Sequence, residues 1–183
     1  QIQPHVNEGY QPAVLRKYVE DSLKKLQLET IDLIQLHCPP TQVYYRPEIF
    51  ELFDVLKQEG KIQNLGVSVE KVEEALKAIE YDNVSTVQII FNMFRQRPAE
   101  LFFSEAKKKN IGIIVRVPLA SGLLTGKFSA QSSFTDGDHR QFNRNGEAFD
   151  KGETFSGIDY ATGLAAVEAL KEIFPGQTNL API

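Results

Sequence analysis

Short apolar segments recur along the chain with amphipathic segments between them, and this alternation is the feature that most restricts the fold. Four of the apolar segments have the length and composition of buried strands, which we predict at residues 31–36, 62–68, 86–91 and 111–117. Successive strands begin 31, 24 and 25 residues apart. Parallel strands joined by single helices at this pitch are typical of right-handed βαβ units.

Apolar side chains at helical spacing fill the intervals between the predicted strands. We predict helices at residues 12–26, 47–59, 71–80, 98–109 and 160–174. Pro12, Pro47 and Pro98 suit the first turn of three of these helices, and Gly60 suits the C-terminal cap of the second. Helix and strand therefore alternate through residues 12–117, which is typical of the α/β class.

Two architectures are built from such units, an open doubly wound sheet and a (β/α)₈ barrel. No Gly-x-Gly-x-x-Gly follows any of the predicted strands, and this weakens the dinucleotide-binding version of the open sheet. Four strand–helix units make about half of a barrel, which takes ~250 residues. We expect a single domain over residues 1–183, with a long polar loop at about residues 129–160.

Charge and composition argue against several classes of partner. Lys plus Arg is 20 and Asp plus Glu is 24, a formal charge of −4, so no basic excess exists to hold nucleic acid through its phosphates. No apolar run approaches the roughly 18 residues of a membrane-spanning helix. The single cysteine, Cys38, cannot form an internal disulfide, which favours a cytoplasmic location. Because His5, His37 and His139 lack the spacing of metal ligands, we expect no metal site.

Polar residues occur where the predicted strands end. His37 ends the first strand and Ser68 the second, Gln88 lies inside the third with Asn92 at its end, and Arg116 lies near the end of the fourth. In a (β/α)₈ barrel, side chains at the carboxyl ends of the strands face the active site. One such residue is more often structural than functional, but several in register predict a shared site.

Four stretches, in the same order along the chain, resemble the aldo-keto reductase family. Residues 22–37, which include Ile31-Asp32-Leu33-Ile34-Gln35-Leu36-His37, resemble the stretch that carries the active-site histidine. Residues 60–68 resemble the family's fifth strand, residues 87–92 its sixth strand, and residues 118–127 the cofactor loop after its seventh strand. The resemblance implies a (β/α)₈ TIM barrel of the aldo-keto reductase type, represented here by about four β/α units.

The resemblance also implies an oxidoreductase that reduces an aldehyde or ketone, a small-molecule carbonyl substrate, with hydride from NADPH, and NADH stays an alternative cofactor. His37 matches the histidine that hydrogen-bonds and orients the substrate carbonyl. Ser68 and Gln88 match the positions that hold the nicotinamide carboxamide. Arg116 matches a position where many members stack an aromatic ring on the nicotinamide, and a guanidinium plane can stack there too.

The matched loop supplies the remaining cofactor-binding candidates. Leu119, Ser121 and Gly122 correspond to the loop that wraps the pyrophosphate, where small residues let backbone N–H groups approach closely. Lys127 adds a positive charge to the same loop.

The sequence departs from the family pattern in two ways. Val69 stands where many members carry Asn after the serine of the fifth strand. The family's catalytic tyrosine, with its assisting aspartate and lysine, lies on the first three barrel strands, and no tyrosine of this chain falls in that motif. We therefore expect the isolated chain to lack reductase activity.

Two other functions stay open on the sequence. The first is a non-catalytic, β-subunit-like member of the same fold, which would bind a nicotinamide cofactor and act through a protein partner. The second is an unrelated (β/α)₈ hydrolase or isomerase. It requires paired carboxylates at the strand ends, where this chain carries His, Ser, Gln and Arg instead.

Overall fold

The computed structural model describes residues 2–176, 180 and 181. The strands are β1 (Ile31–His37), β2 (Ile62–Ser68), β3 (Val84–Ile90) and β4 (Gly112–Arg116). The α-helices are α1 (Pro12–Leu26), α2 (Pro47–Gln58), α3 (Val72–Ala78), α4 (Phe102–Lys108), α5 (His139–Phe142) and α6 (Tyr160–Ile173). The predicted alternation of helices and strands is confirmed, and each predicted strand ends within two residues of the observed one.

The helix predicted to begin at Pro98 begins later. Residues Arg97–Ala99 form a 3-10 turn, and Leu101 has φ −137° and ψ −47°, outside the helical region. The α-helix starts at Phe102, whose side chain is fully buried. The fixed φ of a proline suits a 3-10 turn as well as a first α-helical turn, so the sequence pattern does not separate the two.

The chain divides into two compact units. The first unit comprises residues 1–89 and 97–114, and the second comprises residues 90–96 and 115–183. The assignment of residues 1–183 to a single domain stays a prediction. Of the helices in the described part of the chain, none has both the length and the hydrophobicity needed to span a bilayer.

The described strands form one sheet in the order β1-β2-β3-β4, and β1, β2 and β3 pair in parallel. In this register His37 lies opposite Ser68, and Ser68 lies opposite Gln88. Three of the predicted site residues therefore form one row across three neighbouring strands. We call His37, Ser68 and Gln88 the strand-end row.

Helices α1 and α2 contribute apolar faces to the core of the first unit. The buried residues are Leu15, Val19 and Leu23 on α1 and Ile49, Phe50, Phe53 and Leu56 on α2. Burial of each such side chain contributes roughly 1.5–3 kcal/mol. Gly60, with φ +73°, ends α2 as predicted, because it lets the Lys61 N–H reach the carbonyl of Leu56 at 2.9 Å.

The polar segment at 129–160 is ordered by side chains that bond to its own backbone. Asn143 is fully buried, and its Oδ1 accepts hydrogen bonds from the N–H groups of Ala148 and Phe149 at 2.8 and 2.9 Å. The Arg140 guanidinium lies 4.5 Å from the centre of the Phe134 ring, a favourable cation–π distance. The segment contains α5 and 3-10 turns at Lys151–Glu153 and Phe155–Gly157, so it is less irregular than its composition suggests.

The side chains of Thr86 and Gln35 pack closely over Gly66, and a substitution of Gly66 by alanine tests this packing. A Cβ at this position would lie 2.2 Å from the Oγ1 of Thr86. We expect Gly66→Ala to lower the free energy of unfolding by about 1–3 kcal/mol, because a well-packed site must shift to admit it. Urea unfolding followed by circular dichroism measures the change. Gly137→Ala is the control, because a methyl group there meets no atom within 4 Å. Equal stability of the two variants would contradict this packing.

Candidate active site

The strand-end row of the first unit brings a serine hydroxyl and a glutamine amide together. Ser68 is fully buried, and its hydroxyl donates to the Oε1 of Gln88 over 3.2 Å. The Sγ of Cys38 lies 3.5 Å from the same hydroxyl oxygen. Because Oε1 accepts from Ser68, the amide of Gln88 is oriented, and its Nε2 is the amide donor of the pair.

The row of residues that precedes the strand-end row shows which face of the sheet these side chains occupy. Gln35 and Thr86 lie opposite Gly66 on the two neighbouring strands, and both of their side chains come within 3.2 Å of a Cβ placed on Gly66. They therefore share one face, and His37, Ser68 and Gln88 follow two residues later on that same face. His37 is exposed there, whereas the hydroxyl of Ser68 is not.

A planar carboxamide matches the hydrogen-bonding groups of Ser68 and Gln88. Such a group needs a donor for its oxygen and an acceptor for its N–H, and the Gln88 amide that Ser68 holds has both, Nε2 as donor and Oε1 as acceptor. The side chain of Val69 is fully buried and apolar, so it has no amide at the position where many members carry Asn. Binding of the nicotinamide carboxamide by Ser68 and Gln88 stays a prediction.

Arg116 is held by a carboxylate of the second unit. Its guanidinium forms an ion pair with Glu153, and both side chains are mostly buried. This pairing limits the planes that the guanidinium can adopt. The stacking of Arg116 on a nicotinamide ring stays a prediction, and Glu153 is the residue that orients the guanidinium.

The loop predicted to wrap the pyrophosphate has an unusual backbone. Val117, Ala120, Ser121 and Gly122 have φ of +53°, +48°, +58° and +94°, in the left-handed region that only glycine adopts without cost. The hydroxyl of Ser121 donates to the carbonyl of Glu153 at 2.7 Å and accepts from the N–H of Phe155 at 3.1 Å. The Ser121 side chain is thus used within the protein, and the predicted contact of its backbone with the pyrophosphate stays a prediction.

A cavity of about 750 Å³ lies beside this loop within the second unit. Leu119, Ser121 and Gly122 line it together with Glu153. Lys127 is exposed and does not line it. The structure therefore collects three of the loop candidates on one cavity and leaves the lysine outside.

Three charged residues on this cavity were not among the sequence candidates: Glu153, Asp138 and Arg140. Asp138 accepts from the backbone N–H and the guanidinium of Arg140, and these hydrogen bonds lower the pKa of its carboxyl to about 2. The charge of Arg140 is therefore balanced inside the protein. No periodic pattern marks Asp138, Arg140 or Glu153 in the sequence, because their partners are fixed by loop geometry.

The polar groups of the described residues do not form a metal centre. No set of three or more His, Cys, Asp or Glu side chains in this part of the chain is arranged to hold an ion. His139 bonds instead to the hydroxyl of Thr154, with Nδ1 and Oγ1 3.2 Å apart.

Residues 2–178 match the family model of the aldo/keto reductase family. The chain belongs to this family. The predicted fold class is confirmed with it, because the parallel sheet described above corresponds to part of the family's (β/α)₈ barrel.

Individual relatives match over most of this chain and about half or less of their own length. Aldo-keto reductase yakc of Schizosaccharomyces pombe, whose name specifies NADP(+), is 27% identical over 177 residues, which are 93% of this chain and 50% of that protein. The NADH-specific methylglyoxal reductase of Escherichia coli is 25% identical over 117 residues, 63% of this chain and 36% of that protein. The structure of the glycerol dehydrogenase AKR11B4 from Gluconobacter oxydans superimposes with a TM-score of 0.68 at 32% identity, over 92% of this chain and 50% of that one.

The ion pair between Arg116 and Glu153 generates a stability prediction. We expect Glu153→Gln to lower the free energy of unfolding by about 1–3 kcal/mol, because it leaves a mostly buried guanidinium without its carboxylate. Glu168→Gln is the matched control, since Glu168 pairs with Lys171 on the surface and is 65% exposed. Its loss should stay below about 1 kcal/mol. Urea denaturation compares the two, and an equal change in both would mean that the Glu153 pair is as weak as a surface pair.

Proposed function

We propose that this chain carries the carbonyl-orienting histidine and the nicotinamide-binding residues of an NADPH-dependent reductase of aldehydes or ketones. The observation that carries the proposal is the strand-end row, in which Ser68 donates to Gln88 and His37 occupies the neighbouring strand in register. The register of the three parallel strands therefore places His37, Ser68 and Gln88, the residues matched by resemblance, side by side.

Ser68 and Gln88 would bind the nicotinamide through its carboxamide. The Nε2 of Gln88 donates to the carboxamide oxygen and its Oε1 accepts from the carboxamide N–H, while the buried hydroxyl of Ser68 holds the Gln88 amide in place. The bound cofactor supplies the hydride. Because Ser68 is itself fixed by burial, the two side chains hold the ring in one orientation with little loss of side-chain freedom.

His37 would orient the substrate. A ring N–H of its imidazole donates to the carbonyl oxygen, and this hydrogen bond strengthens as negative charge develops on that oxygen. The exposure of His37 at the end of β1 leaves it accessible to a small carbonyl compound. In this proposal it is a hydrogen-bond donor and not the source of the transferred proton.

The cofactor loop is proposed to bind the phosphates of the cofactor. Leu119, Ser121 and Gly122 line the cavity, and exposed Lys127 adds a positive charge from the same loop. Arg116, set by Glu153, is proposed to lie against the nicotinamide ring.

The choice of NADPH over NADH is part of the proposal. The names of the relatives divide, since the Schizosaccharomyces pombe protein is named for NADP(+) and the Escherichia coli protein for NADH. A small carbonyl compound as substrate agrees with the methylglyoxal of the second name. Cys38, the single cysteine of the chain, is buried, which agrees with the proposed cytoplasmic setting.

The tyrosines of the chain support the further proposal that the isolated chain does not turn over. Four of the six tyrosine hydroxyls bond within the protein: Tyr10 to His5, Tyr44 to the Ser68 carbonyl, Tyr81 to the Tyr44 carbonyl and Tyr160 to the Ser129 carbonyl. Burial raises the pKa of Tyr10 to about 12 and also raises that of Tyr44. Tyr18 and Tyr45 are 45% and 63% exposed. None matches the family's proton donor.

Cofactor binding tests the proposed function directly. We expect the 183-residue chain to bind NADPH, and Gln88→Ala to weaken that binding about three- to tenfold, because one hydrogen bond is lost. Cofactor fluorescence measures the dissociation constant. Gln63→Ala is the control, since Gln63 is an exposed glutamine on β2. No binding by the unmodified chain, or equal binding by the two variants, would contradict the assignment of the row.

Turnover tests the proposed absence of a proton donor. We expect the chain to oxidise NADPH in the presence of an aldehyde no faster than buffer does, and His37→Ala to behave in the same way. The NADPH absorbance follows the reaction. Turnover by the unmodified chain that His37→Ala abolishes would show that a donor exists among these residues.

A further inference from the structure

One buried amide in the second unit uses its full hydrogen-bonding capacity. Asn92 is 6% exposed, and its Nδ2 donates to the carbonyl of Val117 at 2.9 Å and to the Oγ of Ser156 at 2.6 Å. Its Oδ1 accepts from the N–H groups of Phe94 and Arg95 at 2.9 and 3.1 Å. Two donated and two accepted bonds are all that an asparagine side chain can make.

The two groups that accept from Asn92 belong to strained segments. Val117 has φ +53°, and Ser156 has φ +59° after Phe155 at +49°. A β-branched or bulky residue is strained in the left-handed region and persists there only where its surroundings hold it. The side-chain NH₂ group of Asn92 donates one hydrogen bond to each segment.

The side chain of Ser121 also links the cofactor loop to the segment that contains Phe155 and Ser156. The hydroxyl of Ser121 bonds to the carbonyl of Glu153 and to the N–H of Phe155. The cofactor loop of residues 118–127 is therefore held where it begins, by the bond of Asn92 to Val117, and again within it, at Ser121. The turn at Phe94 and Arg95 holds Asn92 itself in place.

We propose that Asn92 is a positioning residue for cofactor binding, which acts through Val117. It fixes the Val117 carbonyl and with it the direction in which the backbone of residues 119–122 faces the cavity. The inference rests on the proposed function of that loop in binding the pyrophosphate. It assigns Asn92 no contact with the cofactor.

Asn92→Asp separates the donated from the accepted bonds. An ionised carboxylate still accepts from Phe94 and Arg95 but donates to neither Val117 nor Ser156. Ser156→Ala is the matched control, because it removes the hydroxyl that accepts from Asn92 Nδ2 and leaves the bond from Nδ2 to the Val117 carbonyl. Both variants are compared with the unmodified chain at pH 8, at a temperature where circular dichroism shows them folded.

The readout is the affinity for NADPH beside that for reduced nicotinamide mononucleotide, which lacks the pyrophosphate. We expect Asn92→Asp to weaken NADPH binding about tenfold or more and to change mononucleotide binding less than about threefold. Ser156→Ala should change both less than about threefold. A purely structural role would move the two affinities together, so an equal loss, or no loss, in folded Asn92→Asp overturns the proposal.

A second measurement needs no variant, should Asn92→Asp not fold. Saturating NADPH should slow amide hydrogen exchange of the unmodified chain at residues 117–122 and 92–95, because the loop and its anchor are ordered together. Unchanged exchange in both segments overturns the proposal while leaving cofactor binding established. Failure of the unmodified chain to bind NADPH overturns the proposed function and this inference together.

Discussion

Parallel pairing of β1, β2 and β3 decides which polar side chains of the first unit meet. Parallel strands all end at the same edge of a sheet, and each needs a crossover helix to return the chain to the other edge. The register then decides which side chains meet. A slip of one residue would replace Ser68 by Val67 in the row and turn the hydroxyl away from Gln88. The fully buried Val67 makes that slip costly, so the packing of the core fixes the polar row.

The second unit is organised by a different kind of interaction. Its loops are fixed by polar side chains that satisfy backbone groups, with Asn143, Ser121 and Asn92 each bonding to more than one segment. Such bonds are directional, and each contributes only about 0.5–1.5 kcal/mol. They can hold strained backbone in one shape, which an apolar contact cannot do, and the left-handed residues of the cofactor loop depend on that.

The sequence was sufficient where local pattern and packing agree. Prolines at 12 and 47, the apolar faces that follow them and Gly60 at +73° each have a local signal, and the structure confirms the elements they delimit. The resemblance added the family, which the match over residues 2–178 confirms. It also assigned His37, Ser68 and Gln88 their roles, and the structure supplies the geometry that supports them without testing them.

What the sequence did not predict depends on contacts between distant loop residues. Arg116 and Glu153 are separated by a segment without periodicity, so no sequence pattern predicts that they form an ion pair. The late start of α4 at Phe102 has a similar cause, since a buried aromatic anchor decides the boundary and not the proline before it. Ser121 was assigned to the cofactor, yet its hydroxyl bonds to the protein. In each case tertiary contacts decide what the local pattern leaves open.

Recognition of the nicotinamide carboxamide by the strand-end row is tested by titrating the isotope-labelled chain with NADPH and observing the side-chain amide resonances of its glutamines. We expect the Gln88 amide resonance to shift and saturate with the cofactor, while that of exposed Gln63 stays unchanged. A saturating titration in which the Gln88 resonance does not move would contradict it.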